Sequence, residues 1–256
     1  MDGDPLTVYF IGAGPGAADL ITVRGQRLIE RCDVCLYAGS IMSEELLQSC
    51  PPGARIVDTG PLTLDEIIAE LAAAHRDGKD VARLHSGDPS LYSAVAEQCR
   101  RLEELGIPVE IVPGVPAFAA AAAILGRELT VPGIAQSVIL TRVATLSTPM
   151  PDGEDLAALA AAQTTLVIHL AAHRIDAIVP QLLQGGYAPQ TPVAVVAFAS
   201  RPEQQVLRGT LAGIAEQVHA AAITRTAVII VGDVLGAGGF PDSYLYSPGR
   251  ERGSRH

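Results

Sequence analysis

The chain has 256 residues and a net charge of −10, with 48% hydrophobic and 18% charged residues. That apolar content excludes a disordered chain, and the scattered 25 glycines and 18 prolines exclude a collagen-like repeat. With 4% aromatics and no tryptophan, a base-stacking platform is disfavoured, and no Lys/Arg-rich run offers nucleic acid a basic stripe.

Lys79 is the only lysine, so the remaining cations are arginines, whose planar forks suit carboxylates and phosphates. A bias toward arginine codons explains the same composition. The four cysteines, at 32, 35, 50 and 99, are too sparse for a disulfide-built secreted fold. The longest apolar run, Ala117 to Leu125, is too short to span a bilayer. The expectation is a cytoplasmic protein with reduced thiols and no membrane partner.

In chain order, short apolar runs alternate with helical patterns. Residues 7–11 read as a strand, followed by a glycine loop and a helix near 20–31. Strands follow at 34–37 and 55–58. A helix over 64–77 is marked by Leu64, Ile67, Ile68 and Leu71 and closes on Gly78. Then come a strand at 81–84, a helix over 93–105 and a strand at 109–112. The alternation predicts βα units and a largely parallel sheet. An alanine-rich helix after residue 116 leads to the Pro132-Gly133 punctuation, where we place a domain boundary. The second half predicts strands at 138–141, 165–169, 193–198, 205–210 and 227–231, with helices at 155–162, 175–184 and 211–222. The strands at 193–198 and 205–210 read as a hairpin joined by a short turn. The expected domains are 1–130 and 131–240, followed by a polar tail over 241–256. No short internal repeat is present.

Three loops follow strands. Gly12 to Ala17 (GAGPGA) fits the dinucleotide fingerprint G-x-G-x-x-A. Pro15 removes an amide from a loop meant to cradle pyrophosphate, and no acid stands at the end of the second strand to hold a ribose. His85 to Tyr92 (HSGDPSLY) and Val112 to Ala117 (VPGVPA) share the layout of strand, turn and helix start. Each alone reads as an ordinary turn or helix cap. Three together at the carboxyl ends of parallel strands describe a ligand crevice.

The strings GAGPGAADLITVRG, LHSGDPSLY, IVPGVPAFAAAAA and TAVIIVGDV, in that order over about residues 7 to 235, resemble the tetrapyrrole methylase family. YAGS at residues 37–40, and TR at 141–142 followed by TPMP at 148–151, narrow the likeness to members that methylate carbon 11 of precorrin-4 in cobalamin synthesis. The resemblance implies two α/β domains, each a mainly parallel or mixed sheet flanked by helices, with the active-site cleft between them. It implies S-adenosylmethionine as methyl donor, S-adenosylhomocysteine as product, no metal, a small-molecule precorrin substrate and a homodimer. Carried over residue by residue, cofactor contacts fall at Pro15, Ser86, Gly87, Asp88, Leu91, Pro116, Ala117, Leu170, Ala199 and Ala227. Pro116 stands where many members carry a hydroxyl, Leu170 where methionine is common, and Ala199 where glycine is common.

The implied reaction needs no strong base, because the donor is activated and an enamine-like ring carbon is nucleophilic; the protein must align and exclude water. Candidate catalytic residues are Asp88, Tyr92 and Ser40, with none expected to be indispensable. Candidate substrate contacts are Tyr37, Ser40 and the carboxylate-gripping arginines Arg83, Arg142, Arg174 and Arg201. Alternatives are a family member acting at another ring carbon, on RNA or on a protein histidine, an NAD-dependent oxidoreductase built on the G-x-G-x-x-A loop, and a silent ligand-binding scaffold. Cys32-x-x-Cys35 reads as buried thiols, His169 and His173 as too incomplete for a metal site, and His75 and His219 as surface residues.

Overall fold

The computed structural model describes residues 6–39, 43–144 and 148–243. They form two compact units. One takes in the described residues up to Ala120 together with Ser200–Pro202; the other takes in 121–199 and those from Glu203 onward. The division falls within a helix, upstream of the Pro132-Gly133 punctuation that marks the expected boundary.

The first unit carries strands β1 (Val8–Gly12), β2 (Val34–Tyr37), β3 (Arg55–Asp58), β4 (Val81–His85) and β5 (Val109–Val112). Its helices are α1 (Val23–Ile29), α2 (Glu44–Leu47), α3 (Leu64–Arg76) and α4 (Val95–Glu104). The sheet is wholly parallel, in the order β3-β2-β4-β1-β5. Both faces are covered, so the central strands β1 and β4 are buried on both sides, mostly apolar but for Arg83 and His85 in β4. On one face, α1 and α2 pack Leu28, Ile29 and Leu46 against Tyr9, Ile11, Cys35 and Leu84. On the other, α3 and α4 pack Ile68, Leu71 and Leu102 against Val8, Phe10, Leu36 and Val81. Such a doubly wound sheet gathers the loops at its carboxyl ends on one edge. α3 starts with a capping box between Thr63 and Glu66 and ends at Gly78, at φ +73°, as its sequence predicts.

α5 (Ala117–Leu125) leads into the second unit. There β6 (Val138–Arg142), β7 (Thr165–His169), β8 (Pro192–Ala197), β9 (Gln205–Thr210) and β10 (Ala227–Val231) form a mixed sheet in the order β6-β7-β10-β8-β9. Only β6 and β7 are parallel. α6 (Leu156–Ala160), α7 (Ile175–Gln184) and α8 (Ile214–Ala220) supply Leu156, Ile178, Leu182 and Val218 to its core. β8 and β9 pair as the expected hairpin, but the connection is residues 198–204 rather than a short turn. α2 and the short 3₁₀ turns have no counterpart in the predicted elements. Pro241 to Ser243 carry no regular structure, and the rest of the expected tail lies outside the described residues.

Candidate functional site

The loops after β1, β4 and β5 meet at three glycines. A Cβ on Gly12 would lie 2.5 Å from the Gly114 backbone and 2.8 Å from the Gly87 carbonyl oxygen; one on Gly114 would lie 2.2 Å from that same oxygen. No side chain fits there. Gly14 (φ +80°) and Gly87 (φ +71°) bridge each other: the Gly14 amide donates to the Gly87 carbonyl at 3.2 Å and the Gly87 amide to the Gly14 carbonyl at 2.7 Å. Both adopt the left-handed backbone that glycine tolerates.

Asp88 ties the second loop to the third. Its Oδ2 accepts from the Gly114 amide at 2.8 Å, and its Oδ1 accepts from the Ser90 amide at 2.8 Å and from the Ser90 hydroxyl. Burial works to raise its pKa, but the Ser90 hydroxyl and the Gly114 and Ser90 amides outweigh that, holding the carboxyl below its usual value. Asp88 is therefore an ionised brace. Pro116 and Ala117 lie against Gly87, 3.7 Å from its ideal Cβ position. Leu91 closes the turn, its amide donating to the Asp88 carbonyl at 3.2 Å. The first unit thus brings together Pro15, Ser86, Gly87, Asp88, Leu91, Pro116 and Ala117. Tyr92, 43% exposed, stands next in the loop at φ 53°.

Three amides of the first loop are engaged within the protein. Ala13 donates to the His85 carbonyl at 2.8 Å, Gly14 to Gly87, and Ala17 to the Ser200 hydroxyl at 3.0 Å; Pro15 has no amide hydrogen. A dinucleotide loop needs such donors aimed at pyrophosphate. Ser200 has no place among the sequence-predicted residues; its neighbours Ala199 and Arg201 are the nearest signal.

In the second unit, Leu170, Ala199 and Ala227 lie on one edge of the sheet. His169 pairs with Val228 and Ala197 with Ala227 across the ladders, and the Phe198 amide donates to the Thr226 carbonyl at 2.8 Å. At this edge Leu170 (φ 55°), Phe198 (φ 50°) and Thr226 (φ 52°) are non-glycine residues in the left-handed region. Such backbone strain gathers at ligand sites. Leu170 is 59% exposed although apolar. A hollow of about 380 Å³ lined by Gln163, Tyr187, Gln190, Thr191 and Asp233 opens at the other end of this sheet and involves none of these residues.

The arginines divide. Arg142 Nη1 donates to the Val143 and Thr148 carbonyls and its Nη2 to the Pro149 carbonyl, each at 3.2 Å. Arg174 donates to the Ala144 carbonyl. Arg201 is half-buried. Arg83, expected near a strand end as a grip for substrate carboxylates, lies within β4, 3% exposed, on the face covered by α3 and α4. The physical reason is that a central strand of a doubly covered sheet has no solvent side. Tyr37 ends β2 beside the second loop, half-buried; Ser40 lies outside the described residues. His75 is half-buried rather than superficial, its Nδ1 without a hydrogen-bond partner. His219 is exposed and pairs with Asp176 at 2.9 Å. Cys32 and Cys35 are buried free thiols; burial pushes Cys32 up to about 12, and the hydrogen bond with Cys50 followed by burial raises Cys35. Among the described residues, no group of three or more His, Cys, Asp or Glu side chains could hold a metal ion.

Residues 7–215 match the tetrapyrrole (corrin/porphyrin) methylase family. The chain belongs to that family. The methylase is 76% identical to a precorrin-4 C(11)-methyltransferase of Mycobacterium tuberculosis, over 96% of this chain and 98% of that one. It is also similar to the crystal structure of a cobalamin biosynthetic enzyme, cobalt precorrin-4 methyltransferase, with TM-score 0.87 and 38% identity over 90% of this chain and 95% of that one. Uroporphyrin-III C-methyl transferase from Thermus thermophilus, complexed with S-adenyl homocysteine, matches with TM-score 0.76 and 30% identity over 90% and 93%. The family fold is therefore the two-sheet α/β architecture described above, and the methylase is a methyltransferase.

Proposed function

We propose that this methylase transfers a methyl group from S-adenosylmethionine to carbon 11 of precorrin-4, giving precorrin-5 in cobalamin biosynthesis. The observation that carries the reading is the glycine crossing at the carboxyl edge of the first sheet, where backbone replaces side chain at three loops. It packs the three loops backbone against backbone at the carboxyl ends of the strands, the place where such sheets take ligands, with Asp88 holding the second loop to the third. The identity with the Mycobacterium tuberculosis enzyme supports carbon 11 of precorrin-4 as the acceptor.

The residues present fit a sulfonium nucleoside better than a dinucleotide, because the first loop's amides at Ala13, Gly14 and Ala17 are engaged by protein acceptors. Pro15, Ser86, Gly87, Asp88, Leu91, Pro116 and Ala117 would hold the cofactor in the first unit, and Leu170, Ala199 and Ala227 in the second. S-adenosylmethionine, when bound, supplies a methyl group already activated on a sulfonium sulfur. The chain's own work is then to bind, align and exclude water. Asp88 is braced by amides, which supports a role in shape rather than in proton transfer. Arg142, Arg174 and Arg201 are the cations proposed to meet the substrate's carboxylates.

The reading extends to a homodimer, as the family resemblance suggests, and to the cytoplasm. All four cysteines are free, as a reducing compartment would keep them, and among the described residues no helix is long and apolar enough to cross a membrane.

Calorimetric titration with S-adenosylhomocysteine and with NAD tests the cofactor assignment. Saturable binding of S-adenosylhomocysteine and no heat with NAD is expected. NAD binding alone would overturn the assignment.

A further inference from the structure

Arg83 is an arginine in the interior, and among the described residues no carboxylate forms an ion pair with it. Burying a cation without a counter-charge is costly, and hydrogen bonds to its donors offset part of that cost. Its Nε donates to Gln98 Oε1 at 3.2 Å and its Nη1 to Thr59 Oγ1 at 2.9 Å. Thr59 in turn donates twice to the Tyr37 carbonyl, from its hydroxyl at 2.9 Å and its amide at 2.7 Å. Next to it, Asp58 Oδ1 accepts from the Gly39 amide at 2.9 Å. At the other end, Gln98 Nε2 donates to the Ala94 carbonyl at 2.8 Å, at the exit of the loop that begins with Ser86. The chain of bonds runs without a break from the start of α4 to the turn after β2.

We propose that Thr59, oriented by Arg83, is a positioning residue that fixes the Tyr37–Gly39 turn in register with the loop after β4, and so sets how the tetrapyrrole is held. The inference rests on the proposed function for its substrate, and on the hydrogen-bond geometry for the device itself. An arginine donates only. The Thr59 oxygen must therefore accept from it, which leaves the hydroxyl proton for the Tyr37 carbonyl alone. An amide or hydroxyl in place of Arg83 would leave that direction undetermined. The same geometry turns Arg83 away from service as a direct ligand of substrate carboxylates.

The test compares Thr59→Val, which keeps the volume and removes the hydroxyl, with Thr59→Ser, which restores it, and with Arg83→Met. Amide hydrogen exchange is read first, on the unliganded protein. Thr59→Val and Arg83→Met are expected to speed exchange at Gly39 and Thr59 about tenfold, the equivalent of one lost hydrogen bond. Exchange at Ala13 and Gly87 should stay unchanged and Thr59→Ser should match the parent. Unchanged exchange at Gly39 in Thr59→Val overturns the proposal whatever the enzyme's substrate. Kinetics come second: Thr59→Val should raise KM for precorrin-4 about tenfold, with the dissociation constant of S-adenosylhomocysteine unchanged. If Arg83→Met raises that KM and Thr59→Val does not, Arg83 contacts substrate directly and the positioning role is wrong. If the parent protein methylates no precorrin while the exchange result holds, the proposed function fails and the device stands.

Discussion

A Cβ at Gly114 would sit 2.2 Å from a carbonyl oxygen and 2.7 Å from the Gly12 backbone, and neither neighbour is a flexible side chain that could yield. Gly114→Ala should therefore destabilise the fold by at least about 2 kcal/mol, the scale of overpacking a tight interior, read as a lower urea midpoint. Gly238→Ala, with nothing within 4 Å, should stay within about 0.5 kcal/mol of the parent. At this scale the sequence is legible where residue type dictates geometry. The glycines in GAGPGA, SGDP and PGVP mark backbone approach directly, and the structure brings those loops together. It is less legible where a side chain's role depends on what covers it. In VARLH, Arg83 shares strand parity with Val81 and His85 and so shares their face. That parity was the available signal for its burial. A cation near a strand end reads instead as a ligand for anions. Ser200 is invisible for another reason: its partner, Ala17, is distant in sequence.

Among elements, the strand boundaries at 34–37, 55–58, 109–112, 165–169, 205–210 and 227–231 fall where the sequence places them, and at 34–37, 55–58, 109–112 and 227–231 a Gly, Pro or Asp marks an end. α2 is only four residues long, too short for helical periodicity to register. The left-handed backbone at Leu170, Phe198 and Thr226 was likewise unreadable, since none is a glycine. It follows from how β7, β8 and β10 end or begin at one edge. Two strands, β4 and β7, close on buried histidines. Burial, then the Arg83 charge, lowers His85 to about 3, and burial lowers His169 to about 4. The unfolded chain takes up those protons near pH 6.5 and the folded chain does not. Stability is thus full above about pH 6.5 and is lost as pH falls toward 4 and then 3, by up to about 1.4 kcal/mol per pH unit for each histidine. The urea midpoint should drop between about pH 7 and about pH 5, and His169→Gln should make the drop shallower. An identical drop in the variant would remove His169 from the account.

Across the whole molecule, the two units build their candidate edges by different routes. The first uses glycine at parallel strand ends; the second uses strained non-glycine residues at the edge of a mixed sheet. The chain carries a net charge of −10, yet its candidate substrate bears many carboxylates. The proposed recognition therefore assigns the carboxylates to local arginines rather than to the overall field. Two of these, Arg142 and Arg174, already hold backbone carbonyls of the segment after β6, which sets them beside the His169 end of β7. Which ring carbon they present depends on how a near-symmetric ring docks, and no residue type encodes that. The decisive measurement is the position of a labelled methyl group. The protein is incubated with precorrin-4 and S-adenosylmethionine bearing a ¹³C-methyl, and the product is read by carbon NMR. The account predicts a single new methyl on carbon 11. A label on another ring carbon, or none in protein that binds the cofactor, would contradict it.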